Sequence, residues 1–211
     1  MDKIIRNLIS RSTINSRIRK AARAIEKDYE KDEEVVVVCT LAGAVPFYSE
    51  LMNHLSDKFK PSFISVTSYV GENSNGKPKI EDSKLGDIKG KKALIIEDII
   101  DTGESLANLY DYLTIKGAAD IKSAVMLNKE ARRTNHTVSP DYILFDIPDR
   151  FVIGNGLDYD GKYRNLKGVK CFTTKDDPNI TRDRINIIKQ SFTPVRRNKE
   201  NVKKRELKQK H

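Results

Sequence analysis

The chain has no tryptophan, and its 211 residues include only two cysteines, three methionines and three histidines. Each scarcity excludes something. Cys39 and Cys171 stand far apart in apolar, strand-like runs, which argues against a disulfide framework and for a reducing compartment. His54, His136 and His211 are scattered without ligand spacing, so no zinc site is expected. No run approaches about 18 apolar residues, the length a membrane-spanning helix needs. The N-terminal MDKIIRNLIS lacks the apolar segment and cleavage site of a secretory leader, and a cytoplasmic location is the expectation. The sequons at Asn135 and Asn179 are therefore read as chance. No G-x-x-x-x-G-K-[ST] occurs, which removes the Walker type of nucleotide site.

What the chain has is charge, unevenly spread. Charged residues make up 33 % and hydrophobic residues 38 %, the balance of a soluble globular protein. The net charge is +9, but Lys175 to His211 holds 12 Lys/Arg against 5 Asp/Glu, or +7. The basic character belongs to this ending rather than to the rest, so nucleic-acid binding by the main body is not implied.

The apolar pattern reads as α/β. Ile14, Ile18, Ala21, Ala22 and Ile25 share one helical face over residues 14–29. Glu34 to Leu41 is a continuous β-branched run, as in a strand buried on both faces. A helix is expected over Pro46 to Leu55 and a strand over Ser62 to Tyr69. Gly71 to Gly90 reads as a long loop. Ala93 to Ile96 is a buried strand, and Glu104 to Lys116 a helix stopped by Gly117. Ile121 to Asn128 and Tyr142 to Ile147 are further strands. The order implies a mainly parallel twisted sheet flanked by helices. In the ending, Arg182 to Phe192 is expected to be a helix with Ile185, Ile188 and Phe192 on its apolar face, followed by a disordered Lys/Arg/Asn-rich stretch.

The chemistry concentrates in Glu97-Asp98-Ile99-Ile100-Asp101-Thr102-Gly103-Glu104-Ser105, which follows a buried strand. Ligands of doubly wound sheets bind beyond the carboxyl ends of the strands. A small-residue loop entering a helix presents unpaired N–H groups and a positive dipole end to a phosphate. The carboxylates beside it can hold hydroxyls or a divalent cation. A sugar phosphate with a vicinal diol fits both halves. Taken alone, Asp101-Thr102 is a helix cap, Phe151 a core strand residue, Lys129 a solvated charge, and Asp158 and Arg164 surface residues.

The nine-residue stretch closely resembles the phosphoribosyl pyrophosphate (PRPP) motif of type I phosphoribosyltransferases. Other segments are similar to the hypoxanthine-guanine branch: Val37 to Leu51 with its pyrophosphate loop Leu41-Ala42-Gly43, Ser68-Tyr69 at the start of a mobile active-site loop, Leu127-Asn128-Lys129, Phe151 to Tyr159, and Lys162 to Leu166. The resemblance covers about residues 14–174. It implies a phosphoribosyltransferase domain over 1–174 with a small base-binding hood, a loop about 68–90 that closes, and a basic extension over 175–211.

The resemblance also implies roles. Glu97 and Asp98 would hold the ribose hydroxyls, directly or through Mg²⁺, and Asp158 would ligate a second Mg²⁺. Asp101 would be the general acid/base at purine N7. Thr102, Gly103, Glu104 and Ser105 would form the 5-phosphate loop, with the Glu104 side chain turned outward. Leu41, Ala42, Gly43 and Arg164 would meet the pyrophosphate. Lys129 would donate to the purine 6-oxygen, Phe151 would stack on the base and Val152 would offer backbone groups to its edge. Two departures stand out: Ala42 where lysine is frequent, and Asn155 where an aromatic residue is common. The implied activity is Mg²⁺-dependent salvage of hypoxanthine, guanine or xanthine by a homodimer or homotetramer. The alternative is a PRPP-sensing regulator that contacts nucleic acid through its basic ending.

Overall fold

The computed structural model describes residues 3–67 and 79–195. Ser68 and Tyr69, assigned to the mobile loop, lie outside the described residues, as does most of the basic stretch beyond Pro194. The elements are β1 (Ile4–Ile9), α1 (Arg11–Lys27), β2 (Val35–Leu41), α2 (Val45–Met52), β3 (Phe59–Thr67), β4 (Lys79–Glu81), β5 (Lys92–Ile100), α3 (Glu104–Ile115), β6 (Asp120–Asn128), β7 (Tyr142–Asp146), β8 (Val152–Ile153), β9 (Val169–Thr173) and α4 (Ile180–Lys189).

Six strands form the main sheet in the order β4-β3-β2-β5-β6-β7, parallel throughout except for β4 against β3. The β-branched run of β2 explains its central place. Val35, Val37 and Cys39 pack into one core layer with α1 and α2, while Val36 and Val38 pack into the other with α3. Leu94 and Ile96 of β5 alternate with Ala93 and Ile95 in the same way. Both faces are covered, as a parallel sheet requires. Leu94 is fully buried, and truncating such a leucine to alanine costs about 2–5 kcal/mol. On α1, the Ser10 hydroxyl accepts from Thr13 N at 3.2 Å, and Ile14, Ile18, Ala21, Ala22 and Ile25 form the buried face that the periodicity predicts.

A second, three-stranded antiparallel sheet, β1-β9-β8, forms the small hood. Three expectations change. Lys79–Glu81, within the expected loop, pairs with β3. β5 does not stop at Ile96 but runs through the acidic pair to Ile100, because pairing with β6 continues to Asn128. In α4 the predicted apolar face is turned: Ile185 and Ile188 are 45 % and 50 % exposed, while Ile180 and Ile187 are 3 % and 1 % exposed. The helix starts two residues earlier than expected, and Ile180 and Ile187, two turns apart, form its buried line.

Candidate active site

From β2 the chain crosses to β3 on one side, and from β5 it crosses to β6 on the other. The carboxyl ends of β2 and β5 therefore border the crevice where parallel sheets bind ligands. A cleft of about 340 Å³ opens there, within the range of small-molecule sites. Thr40, Leu41 and Gly43 line it from β2 and the turn that follows. Glu97 and Asp98 line it from β5, Asp101, Thr102 and Gly103 from the loop that follows, and Ser105 from the start of α3. Asp158 and Arg164 close it from the hood side. The Glu97–Ser105 stretch is thus one wall of a single cavity.

Glu97 and Asp98 are adjacent in sequence and both half-buried. The Thr40 hydroxyl, bonded to Ile96 O at 2.9 Å, also donates to Glu97 Oε1 at 2.7 Å. Asp98 Oδ1 accepts from Ile99 N at 2.8 Å. Burial pushes the Glu97 carboxyl well above the usual carboxylate range, and the Asp98 charge adds to this. Burial also raises Asp98, while hydrogen bonds and the Arg164 charge oppose it. Two crowded carboxyls with only oxygen donors, in a cleft shared with Asp158, suit a hard divalent cation. Among the described residues no three acidic, histidine or cysteine side chains gather into a metal site by themselves. Mg²⁺ commonly takes one or two carboxylates plus substrate phosphates, so the donor set fits it.

Close backbone packing shapes the floor. A Cβ on Gly43 would lie 1.8 Å from Asp98 Oδ2, and one on Gly156 would lie 2.0 Å from Gly43 O. Gly156 also has a φ of 102°, so two requirements exclude a side chain there. The Leu41–Ala42 peptide is cis. Ala42 itself does not line the cleft. Arg164 Nη1 donates to Gly156 O at 2.7 Å, and its Nη2 lies 2.9 Å from Asp158 Oδ1.

Gly103, with a φ of 92°, is the N-cap of α3 and lines the cleft with Thr102 and Ser105. The 12-residue helix places its positive end there. Glu104 is exposed and is not part of the lining, in keeping with the outward orientation expected.

Asp101 faces two cations: Lys129 Nζ lies 3.5 Å from Oδ2 and Arg132 Nε 3.0 Å from Oδ1. Lys129 is buried, so its reading as a solvated charge fails. Phe151 is 52 % exposed and so is no core residue. Its ring meets Tyr159 edge-on at 5.4 Å and Phe172 at 6.1 Å. Val152 is buried in β8, opposite Cys171 of β9. Lys129, Phe151 and Val152 do not line the cleft beside the carboxylates. At Asn155, φ is 51°, N donates to Leu166 O at 2.8 Å and Nδ2 reaches Met126 Sδ at 3.2 Å, so the amide fills its place by local bonds.

Sequence reasoning missed Thr40 and Arg132. Thr40 acts through a partner 57 residues away, and Arg132 through a short 3-10 turn, Glu130–Arg132, that no periodicity marks.

A family described as the phosphoribosyl transferase domain matches residues 10–160. The hypoxanthine-guanine-xanthine phosphoribosyltransferase of Tritrichomonas foetus is 36 % identical over 166 residues, covering 79 % of this chain and 90 % of that protein. The hypoxanthine-guanine phosphoribosyltransferase of Streptococcus pneumoniae strain R6 is 39 % identical over 160 residues, 75 % of this chain and 88 % of that one. The crystal structure of a hypoxanthine-guanine phosphoribosyltransferase from Bacillus anthracis superposes with a TM-score of 0.73 at 33 % identity, covering 79 % of this chain and 97 % of that one.

Proposed function

We propose, from the premise that this chain belongs to the phosphoribosyl transferase family and is similar throughout its main body to hypoxanthine-guanine phosphoribosyltransferases, that it is a purine-salvage transferase. It transfers the phosphoribosyl group of PRPP to N9 of hypoxanthine or guanine, giving the nucleoside monophosphate and pyrophosphate. The observation that carries this is the sharing of one cleft by the Glu97–Asp98 pair, Asp101 and the N-terminal loop of α3. None of the relatives named above speaks for a PRPP-sensing regulator.

In this reading the backbone N–H groups of Gly103 to Ser105 and the hydroxyls of Thr102 and Ser105 hold the 5-phosphate at the helix end. Glu97 and Asp98 orient the ribose hydroxyls. Leu41 to Gly43 and Arg164 receive the pyrophosphate as the C1–O bond breaks. Mg²⁺ held by Glu97, Asp98 and Asp158 would neutralise charge on that leaving group. The transition state is oxocarbenium-like, so positioning and charge stabilisation do most of the work. Asp101 exchanges a proton at purine N7 as N9 attacks C1. Lys129 donates to the 6-oxygen, which favours 6-oxopurines over adenine. Phe151 stacks on the base and Val152 offers backbone groups to its edge. The same reading includes a cytoplasmic homodimer or homotetramer and use of xanthine as a third base.

A steady-state assay with PRPP, Mg²⁺ and each of hypoxanthine, guanine, xanthine and adenine tests it. Turnover with hypoxanthine or guanine and none with adenine is expected. Measurable PRPP binding without turnover on any base would overturn it.

A further inference from the structure

The short segment that leads into Phe151 is held from outside the matched family region. β7 ends at Asp146, and residues 147–150 connect it to Phe151. Arg150, immediately before Phe151, reaches α4 and the turn preceding it. Its Nη1 lies 2.7 Å from Asp177 Oδ2, and its Nε and Nη2 each lie 2.7 Å from Asp183 Oδ2. The three side chains are largely buried, at 15 %, 14 % and 12 % exposure. Asp177 is itself fixed. Asp177 accepts from Thr173 Oγ1 of β9 at 2.5 Å and from Asn179 N at 2.9 Å.

The other end of the segment is held by the far end of the same helix. Gln190, the C-cap of α4, accepts from Asp146 N at 3.0 Å and donates to Asp146 O at 2.8 Å. Its own carbonyl accepts from Arg17 Nη2 at 2.5 Å, and Arg17 Nη1 donates to Leu144 O at 2.6 Å. Asp177, Asp183 and Gln190 all lie beyond residue 160, where the family match ends.

We infer that the segment from Lys175 to Gln190 is a positioning element for purine binding, with Asp177 and Asp183 fixing Arg150 and so the placement of Phe151 and Val152. Phe151 is half-exposed, so packing alone does not immobilise it. A stacking ring contributes only where it is already in place, because ordering it on binding subtracts from affinity. Charge-assisted bonds from two carboxylates to the preceding residue supply that order. This inference rests on the reading of Phe151 and Val152 as purine-facing residues. The three clamp residues would act through Phe151 and Val152 rather than by contact with substrate.

The test is kinetic. In the double variant Asp177→Asn with Asp183→Asn, the KM for hypoxanthine should rise about tenfold, the scale of one aromatic stacking interaction. The KM for PRPP and kcat should stay within about twofold. Asp183→Glu, which keeps the charge, should recover most of the purine affinity. A purely structural role would lower the active fraction, reducing kcat while leaving both KM values alone; that result would overturn the inference. Should the double variant fail to fold, Gln190→Ala and Asp183→Asn alone give the same ratio of KM values, and an unchanged ratio in both would overturn it too. Phe151→Ala separates the two readings. If it raises the purine KM while the clamp variants do not, the clamp alone is wrong. If it leaves the purine KM unchanged, the purine-facing reading fails and the inference fails with it.

Discussion

Arg132 holds Asp101: its Nε lies 3.0 Å from Oδ1, and the guanidinium also approaches Asp149 at 3.5 Å. The carboxylate read as the proton carrier is thus engaged by a cation that the local pattern does not announce, with Lys129 on its other oxygen. In the proposed mechanism, a purine whose N7 meets Asp101 competes with both cations for the carboxylate.

Asp101→Asn keeps the shape and removes the proton acceptor. Turnover is expected to fall by about 10²–10⁴, the range for removing a general acid/base, while PRPP affinity changes little. Single-turnover kinetics with a separate PRPP titration checks this. A collapse of PRPP affinity with turnover intact at saturation would reassign Asp101 to binding.

Lys129→Ala removes a buried ammonium and the donor proposed for the 6-oxygen. The preference for hypoxanthine over adenine should shrink by about tenfold or more, as expected for one charged hydrogen bond. Competition between the two bases under one set of conditions measures it, and unchanged discrimination would rule the donor role out.

Gly43→Ala inserts a methyl 1.8 Å from Asp98 Oδ2. The turn or the carboxylate must shift, and a displacement near 1 Å in a catalytic site costs about 100-fold. The expected result is a loss of that order in kcat/KM for PRPP, with an unaltered circular dichroism spectrum. Activity close to wild type would show that this close approach does not set the site's geometry.

Pairing with Arg150 holds the Asp177 carboxyl well below the usual carboxylate range, helped by bonds from Thr173 and Asn179 N. The unfolded chain binds this proton more readily than the folded one. The stability so gained is fully present above about pH 4 and is lost as pH falls through the folded value. The difference in Tm between the wild type and Asp177→Asn should therefore narrow below about pH 4. A constant difference from neutral to acid pH would show that the pairing contributes no pH-dependent stability.

The central sheet was legible because its strands are buried on both faces. Val35 to Cys39 and Ala93 to Ile96 are continuous apolar runs, and their alternation between two core layers leaves no other role for them. The cleft was legible because its acids and its small-residue loop are contiguous in sequence. The hood was not. β1 mixes Arg6 and Asn7 into an apolar stretch and ends in two consecutive buried residues, Leu8 and Ile9, and β8 is two residues long, so neither shows a clear strand period. In α4 two apolar lines compete. Ile185 and Ile188 gave as good a stripe as Ile180 and Ile187, and the contacts that seat the helix, Asp183 with Arg150 at one end and Gln190 with Asp146 at the other, are made by partners distant in sequence. Thr40 and Arg132 escaped because their partners are assembled by the fold, not by neighbouring sequence.

The bonds that follow α4 also bear on the rims of the main sheet. An open sheet has two rims, and a bare rim is a template for another chain's strand. Here β4 closes one side with only Lys79, Ile80 and Glu81, too short and too charged to recruit a long partner. On the other side, backbone groups along β7 are already taken. Asp141 O accepts from Val195 N, Leu144 O accepts from Arg17, and both backbone groups of Asp146 bond Gln190. Removing the residues after Lys189 would strip most of that cover and leave the β7 rim open to pairing with a strand of another chain.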